Sequence, residues 1–421
     1  MPPARSVLGS LSRAVVYSAT SPTVLRAVVA PAFGLGPIDS DPGPLSLDAV
    51  QRVLVVRLDE IGDLILTSPL LRELRHALPS AEIDLVVKRE YVALADGCPH
   101  VNHVIGSPSV RKHARLRRFH QQRTAITTAR SLYRRRYDLA LVPRWDSDYF
   151  YNAAAIAYLV GARWRVGQRE RDERNVSSNA LFTHLVDQPA PKHEVERNLD
   201  VLRELNIAPT NSRLECWVTE PDDLAASEWL DHAGIKRDNL SVVVAPSASH
   251  QRRRWPGENF CQLVAWLQQS VGANVILIGG PDDMDIARSI ESAAPGRLLN
   301  VVGKTTLGAA VALIRRANLF VGNDSGPMHM AASGGLPTVA VSCHPLSASR
   351  SHPQSPIRFG PWGNVSSVLQ PASALEPCGD SCIAAEAHCI RQVSVSDVIG
   401  AISALLPQIR RANAARPAFT G

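Results

Sequence analysis

Val53-Leu54-Val55-Val56-Arg57-Leu58-Asp59-Glu60-Ile61-Gly62-Asp63 carries four apolar residues without interruption into a polar turn that contains a glycine. A strand with one wet face alternates apolar and polar residues. An unbroken Val/Leu run marks a strand buried on both faces, as in parallel sheets covered by helices. Beyond it the spacing predicts a helix from about Leu64 to Ala77. Ile83-Asp84-Leu85-Val86-Val87 and Leu139-Ala140-Leu141-Val142 read as further strands, the second ended by Pro143. Strand, helix and strand in succession predict a parallel sheet with helices on both faces.

The pattern restarts downstream. Ser241-Val242-Val243-Val244-Ala245 is a strand stopped by Pro246, and Phe260 to Gln269 is helical. Val275-Ile276-Leu277-Ile278 is a strand closed by Gly279-Gly280, and Leu307 to Arg316 has helical spacing. Leu319-Phe320-Val321 and Thr338-Val339-Ala340-Val341 are strands on either side of a helix opened at Pro327. The expected fold class is therefore α/β, with two doubly wound parallel-sheet domains facing a cleft at their strand C-termini, where open α/β sheets bind ligands. Turn residues from Asn206 to Asn211 and a helix start at Pro221-Asp222-Asp223 bracket the boundary. The expected division is a basic, flexible extension (1–48), a first domain (49–222), a second domain (223–390), and a C-terminal helix and tail (391–421).

At 421 residues the chain is long enough for two domains, each with its own core. Its 45% hydrophobic and 20% charged residues lie in the globular range, and no apolar run approaches the ~18 residues of a membrane-spanning helix. A formal charge of +6 favours anionic partners. The seven cysteines are an odd set without C-x-x-C, which points to a reducing, cytoplasmic setting. Cys378, Cys382 and Cys389 do cluster, so a metal or redox site there is entertained, although the spacing fits no zinc pattern well. The extension carries Arg5, Arg13 and Arg26 with no acid before Asp39. It reads as a loosely ordered tail or as a basic contact with a membrane surface.

Four strings at strand ends carry chemistry. In the first, Gly62 admits close backbone approach and Asp63 sits near a helix N-terminus, either as a general base or as a helix cap. In the second, Gly322-Asn323-Asp324-Ser325-Gly326-Pro327-Met328-His329 opens a helix whose N-terminus offers N–H donors and a positive dipole end to a diphosphate. His329 could instead be a packed histidine and Asp324 a simple cap. The third string is Pro246-Ser247-Ala248-Ser249-His250-Gln251-Arg252-Arg253-Arg254-Trp255-Pro256. It sets hydroxyls and three arginines where a leaving group's negative charge would grow, or else it is a solvated basic loop. In the fourth, Gly279-Gly280-Pro281-Asp282-Asp283, a carboxylate can hold ribose hydroxyls or cap a helix.

Two further stretches are weaker. Asp146-Ser147-Asp148 imitates a D-x-D metal motif, but the two-domain pattern argues against the fold that uses it. It reads as a loop after the Leu139–Val142 strand. Arg111, Arg115, Arg117, Arg118, Arg123, Arg130, Arg134, Arg135 and Arg136 form either a solvated helix face or a patch for an anionic acceptor or lipid. Nucleic acid is not expected, because no binding module accompanies them.

Together these strings resemble glycosyltransferase family nine, the ADP-heptose:lipopolysaccharide heptosyltransferases. The matching pieces are residues 53–69 (VLVVRLDEIGDLILTSP), 245–256, 278–285, 320–332 (FVGNDSGPMHMAA), 359–363 (FGPWG) and 389–399 (CIRQVSVSDVI). The resemblance spans about residues 51–405 and implies a GT-B fold with the donor held mainly by the second domain. It implies an inverting transfer with no metal or other cofactor, in which the nucleotide sugar is a substrate. Asp63 matches the family's general base, with Gly62 and Asp146 on the acceptor side. Arg253 matches a phosphate-contacting position that is usually Lys, and Ser249 falls near phosphate-binding hydroxyls. Asp324, Ser325, Gly326, Met328 and His329 match the pyrophosphate loop, and Asp283 the acid near the ribose. The expected partners are a nucleotide-sugar donor and an anionic glycan or glycolipid acceptor, with peripheral contact to the cytoplasmic face of the membrane. A different nucleotide sugar, a nucleotide-sugar epimerase and a catalytically degenerate binding protein remain open alternatives.

Overall fold

The structure is a computed structural model. It describes residues 22–32, 42–109, 117–143, 152–171, 176–236, 238–294, 296–350, 352, 354–380 and 383–414. The chain divides into two compact units, residues 1–189 with 195–211 and residues 190–194 with 212–421.

The first unit is built on β1 (Arg52–Arg57), β2 (Glu82–Lys88), β3 (His103–Ser107), β4 (Leu139–Val142), β5 (Trp164–Gln168) and β6 (His184–Val186). They form one parallel sheet in the order 3-2-1-4-5-6, with Val53 facing Ile83 on one side and Leu139 on the other. Val53, Leu54, Val55 and Val56 are fully buried, as an uninterrupted apolar strand requires. The second unit uses β7 (Ser241–Ala245), β8 (Asn274–Leu277), β9 (Leu298–Asn300), β10 (Leu319–Asn323), β11 (Thr338–Val341) and β12 (Ser366–Leu369). Its sheet runs 12-11-10-7-8-9, which is the same arrangement counted from its own first strand. In each sheet the order reverses beside the first strand, between β1 and β4 and between β7 and β10. At such a switch point connections leave to opposite faces and open a crevice beyond the strand carboxyl ends.

Local differences from the expected elements have local causes. The helix expected from Leu64 to Ala77 is two helices, Ile61–Leu66 and Ser68–Ala77. Pro69 has no N–H to give and would clash with the preceding turn, so it takes the start of a new helix. At the break Thr67 Oγ1 donates to Asp63 O at 2.8 Å and Ser68 Oγ to Ile65 O at 2.7 Å.

The division placed at residue 222 falls inside the helix Glu220–His232, because Pro221-Asp222-Asp223 is that helix's first turn, capped by Thr219. The units part earlier, after Asn211. The C-terminal helix Val395–Ala414 is no separate tail. It buries Val398, Ile402 and Ile409 in the second unit's core. The extension is not uniformly loose either, since Leu25 and Ala30 are buried in the first unit's core with Tyr158 and Ile156. Among the described residues no helix is long and apolar enough to cross a membrane.

Candidate active site

Beyond β1 the chain turns directly into the helix Ile61–Leu66. Asp63 lies in its first turn and accepts from the Glu60 N–H at 3.0 Å. The capping alternative is thus realised on one oxygen. The other, Oδ1, lies 3.4 Å from the Arg57 guanidinium, and 22% of the side chain is exposed. Arg57 is buried, sits 3.2 Å from Asp59, and donates to Pro143 O beyond β4. It therefore ties together the two strand ends that flank the first switch point. Gly62 is buried in the same helical turn. Asp146 lies outside the described residues.

The second switch point is stitched more tightly. Gly322 must be glycine, since a Cβ there would fall 2.6 Å from Ala245 O on β7. The next residue, Asn323, is fully buried at the end of β10. Its amide donates to Pro246 O at 2.8 Å, and its carbonyl oxygen accepts from Trp255 N at 2.9 Å. One side chain thus fixes both ends of the 246–256 loop. Trp255 is buried edge-on against Phe260, 5.0 Å between ring centroids, a pairing that contributes about 1 kcal/mol beyond burial.

On this frame Arg253, in the 3₁₀ turn Gln251–Arg253, donates to Asp324 O at 2.8 Å and lies 3.4 Å from Asp324 Oδ2. Asp324 is largely buried and also receives Ser342 Oγ at 3.3 Å. Ser325 is the extended N-cap residue of the helix Gly326–Ser333, and its hydroxyl makes no cap bond to that helix. The helix N-terminus and one arginine therefore meet at a single strand end, and Ser249 is exposed on the loop beside them.

Not every predicted residue is presented this way. Met328 is fully buried and its N–H donates to Ser325 O at 3.0 Å, so the expectation that it binds donor phosphate is corrected: it belongs to the core. Asp283 is buried, accepts from the Gly280 N–H at 2.9 Å, and sits 3.2 Å from Arg254. One oxygen thus serves the cap, while Oδ1 has the Arg254 ion pair and no hydrogen bond among the described residues. In the basic stretch Arg111 and Arg115 lie outside the described residues. Arg123 and Arg130 are exposed on the helix Arg117–Leu132, a solvated face. Arg135 is committed to the buried Asp84 at 2.7 Å.

His329 is buried, and its Nδ1 has no hydrogen-bond partner among the described residues. Burial, with smaller contributions from His193 and Arg253, lowers its pKa to about 3, so it is neutral near pH 7. An unfolded histidine titrates near 6.5, so below that pH the unfolded chain binds a proton that the folded chain refuses. The stability this histidine leaves intact above pH 6.5 is lost as pH falls toward 3. We expect unfolding free energy of the ligand-free protein to drop by up to about 1.4 kcal/mol per pH unit through this window from this group alone. Denaturant titrations at pH 7, 6, 5 and 4 should show His329→Gln with a shallower pH slope. Parallel slopes would remove His329 as the source.

The sequence reading missed three residues around this strand end. Asn323 stood in the quoted string without a role. His193 donates from Nε2 to Gly360 O at 3.0 Å and stacks on Trp362 at 4.5 Å, while its neighbour Glu194 forms a buried ion pair with Arg358 at 3.0 Å. His344, after β11, stacks on His352. Burial lowers the His344 pKa, and Asp324 and Asp380 oppose that effect.

The profile of glycosyltransferase family 9 (heptosyltransferase) matches residues 126–372. The chain is 26% identical over 353 residues to lipopolysaccharide heptosyltransferase 3 of Escherichia coli, covering 82% of this chain and 96% of that protein. A K12-strain protein of the same name is 29% identical over 297 residues, 66% of this chain and 79% of that one. Among solved structures, the family 9 glycosyl transferase of Veillonella parvula superposes with a TM-score of 0.72 at 22% identity, over 87% of this chain and 99% of that one. E. coli ADP-heptose lps heptosyltransferase II gives 0.63 at 23%, over 85% and 99%. The likeness shows the GT-B type of α/β fold, two Rossmann-like units. The chain belongs to glycosyltransferase family 9 and is a glycosyltransferase.

Proposed function

We propose that this glycosyltransferase moves a heptose, or a closely related sugar, from ADP-heptose or another nucleoside-diphosphate sugar to a hydroxyl of a glycan or glycolipid, with inversion and without a catalytic metal. The supporting observation is the meeting of Arg253 with the N-terminus of the helix Gly326–Ser333 across the second switch point. A diphosphate leaving group gains negative charge as its bond to the anomeric carbon breaks. A guanidinium and aligned N–H donors answer that charge, the task a divalent cation performs elsewhere. Asp63 takes the proton of the acceptor hydroxyl while its oxygen forms the new bond at the anomeric carbon. Proton and charge are then balanced, with the sugar transferred, the nucleoside diphosphate released and Asp63 protonated. The names of the E. coli relatives, which carry lipopolysaccharide and ADP-heptose, favour heptose and adenine.

A calorimetric screen of ADP, GDP, UDP and ADP-heptose with no added metal tests this reading. ADP and ADP-heptose should bind at least about tenfold tighter than GDP and UDP, a difference of about 1.4 kcal/mol. Added Mg2+ should leave turnover unchanged. Preference for another nucleotide would overturn the donor, and binding of none would overturn the transferase role of the second unit.

A further inference from the structure

Far along the chain from the switch-point loops, three donors converge that catalysis does not use. His388 Nδ1 lies 3.6 Å from Cys378 Sγ and 3.5 Å from Cys389 Sγ. All three donor atoms fall within 4.8 Å of one another. Both sulfurs belong to cysteines outside any disulfide, and both cysteines are buried in the second unit's core. Cys389 Sγ also accepts from the Leu375 N–H at 3.4 Å, and the single accepting nitrogen of a neutral imidazole cannot bond both thiols at once.

Metal coordination explains the spacing. Zinc holds thiolate sulfur at about 2.3 Å and imidazole nitrogen at about 2.0–2.1 Å with tetrahedral angles, which sets each N···S separation at about 3.6 Å. We propose that Cys378, His388 and Cys389 supply three ligands to a soft divalent cation, zinc by the chemistry of its donors, with water completing the tetrahedron, and that this cation clamps the segment.

The clamp has something to hold. Between β12, which ends at Leu369, and the 3₁₀ turn Cys389–Gln392, the described residues form no helix or strand. Connections longer than about 12–15 residues without secondary structure are uncommon in compact domains, and a metal closes such a stretch efficiently. Just after the turn, Val393 O accepts from Trp255 Nε1 at 2.8 Å, and Trp255 N donates to Asn323. The clamped segment therefore supports the far side of the loop that carries Arg253. The sequence signal was the cysteine cluster, with a histidine directly before its last member; Cys382 of that cluster lies outside the described residues.

The test is elemental analysis of the full-length, untagged protein purified without chelator. The wild type should carry about one zinc per chain, and Cys378→Ser/Cys389→Ser less than about a tenth of that. His388→Ala should also lose metal. In the wild type itself, peptide-mapped alkylation of Cys378 and Cys389 should be slow until a chelator is added. Its thermal midpoint should fall with the chelator and recover with zinc but not with magnesium. This arm decides the matter if the variants do not fold. Zinc-free protein from zinc-supplemented cells, metal retained in the variants, chelator-independent alkylation, or a Cys378–Cys389 disulfide would each overturn the site. Stoichiometric metal of another kind, lost in the variants, would support the site and overturn zinc.

Discussion

Arg253→Ala is expected to lower kcat/KM by about 10²–10³-fold and to weaken ADP binding in parallel. Two losses combine in that figure. The first is the guanidinium that would face the departing diphosphate. The second is electrostatic: Arg253 lies 3.4 Å from Asp324 Oδ2 and bonds Asp324 O, so its removal leaves a buried carboxylate without its cation beside the position proposed for the diphosphate. A diphosphate would then meet like charge where it now meets opposite charge. Arg253→Lys separates these effects. Lysine restores the charge without the planar fork. That variant should stay within about tenfold of wild type. The readouts are steady-state kinetics and nucleotide calorimetry, with thermal midpoints to confirm folding. An alanine variant with unchanged nucleotide affinity would place the diphosphate elsewhere.

How much of this was legible before the structure depends on the range over which each feature is determined. Buried strands announce themselves locally, because Val53–Val56 and Val242–Val244 can only satisfy such runs between two helical layers. The glycine-serine turn before Pro327 is equally local, and it does open a helix at a strand end. Strand order was not legible, since the pairing of β1 with both β2 and β4 is a choice among distant partners. The missed residues share this property. Asn323 reaches a carbonyl 77 positions away, and His193 one 167 positions away. Met328 failed for a different reason. It stands among site residues in the string, but the helix turns it inward, a question of phase that a short motif does not reveal. Asp283 shows the limit of letters at helix starts, where the same acid serves a cap or a ligand and only the contacts of its oxygens decide.

Asp63 poses that same question, and here a substitution can divide the two roles within one side chain. One oxygen receives the Glu60 N–H, and an ionised carboxylate keeps further lone pairs for a hydroxyl proton. Asparagine retains a carbonyl oxygen for the cap but cannot take up a proton. Asp63→Asn should therefore keep the cap and the donor affinity, lower the thermal midpoint only through the lost ion pair with Arg57 at 3.4 Å, and lower kcat by about 10²–10⁴-fold, the usual range for loss of a general base. Asp63→Ala should lose the same rate and, in addition, about 1 kcal/mol of stability with the cap. A purely structural Asp63 gives the opposite pattern: Asn near wild type in turnover, Ala impaired only in proportion to its instability. The comparison must be made at saturating donor, so that binding and chemistry are separated. A base acting on the acceptor leaves donor KM nearly unchanged and moves kcat alone. Near-wild-type kcat in Asp63→Asn would remove this residue from the proton transfer and leave it as the cap that the backbone geometry already describes.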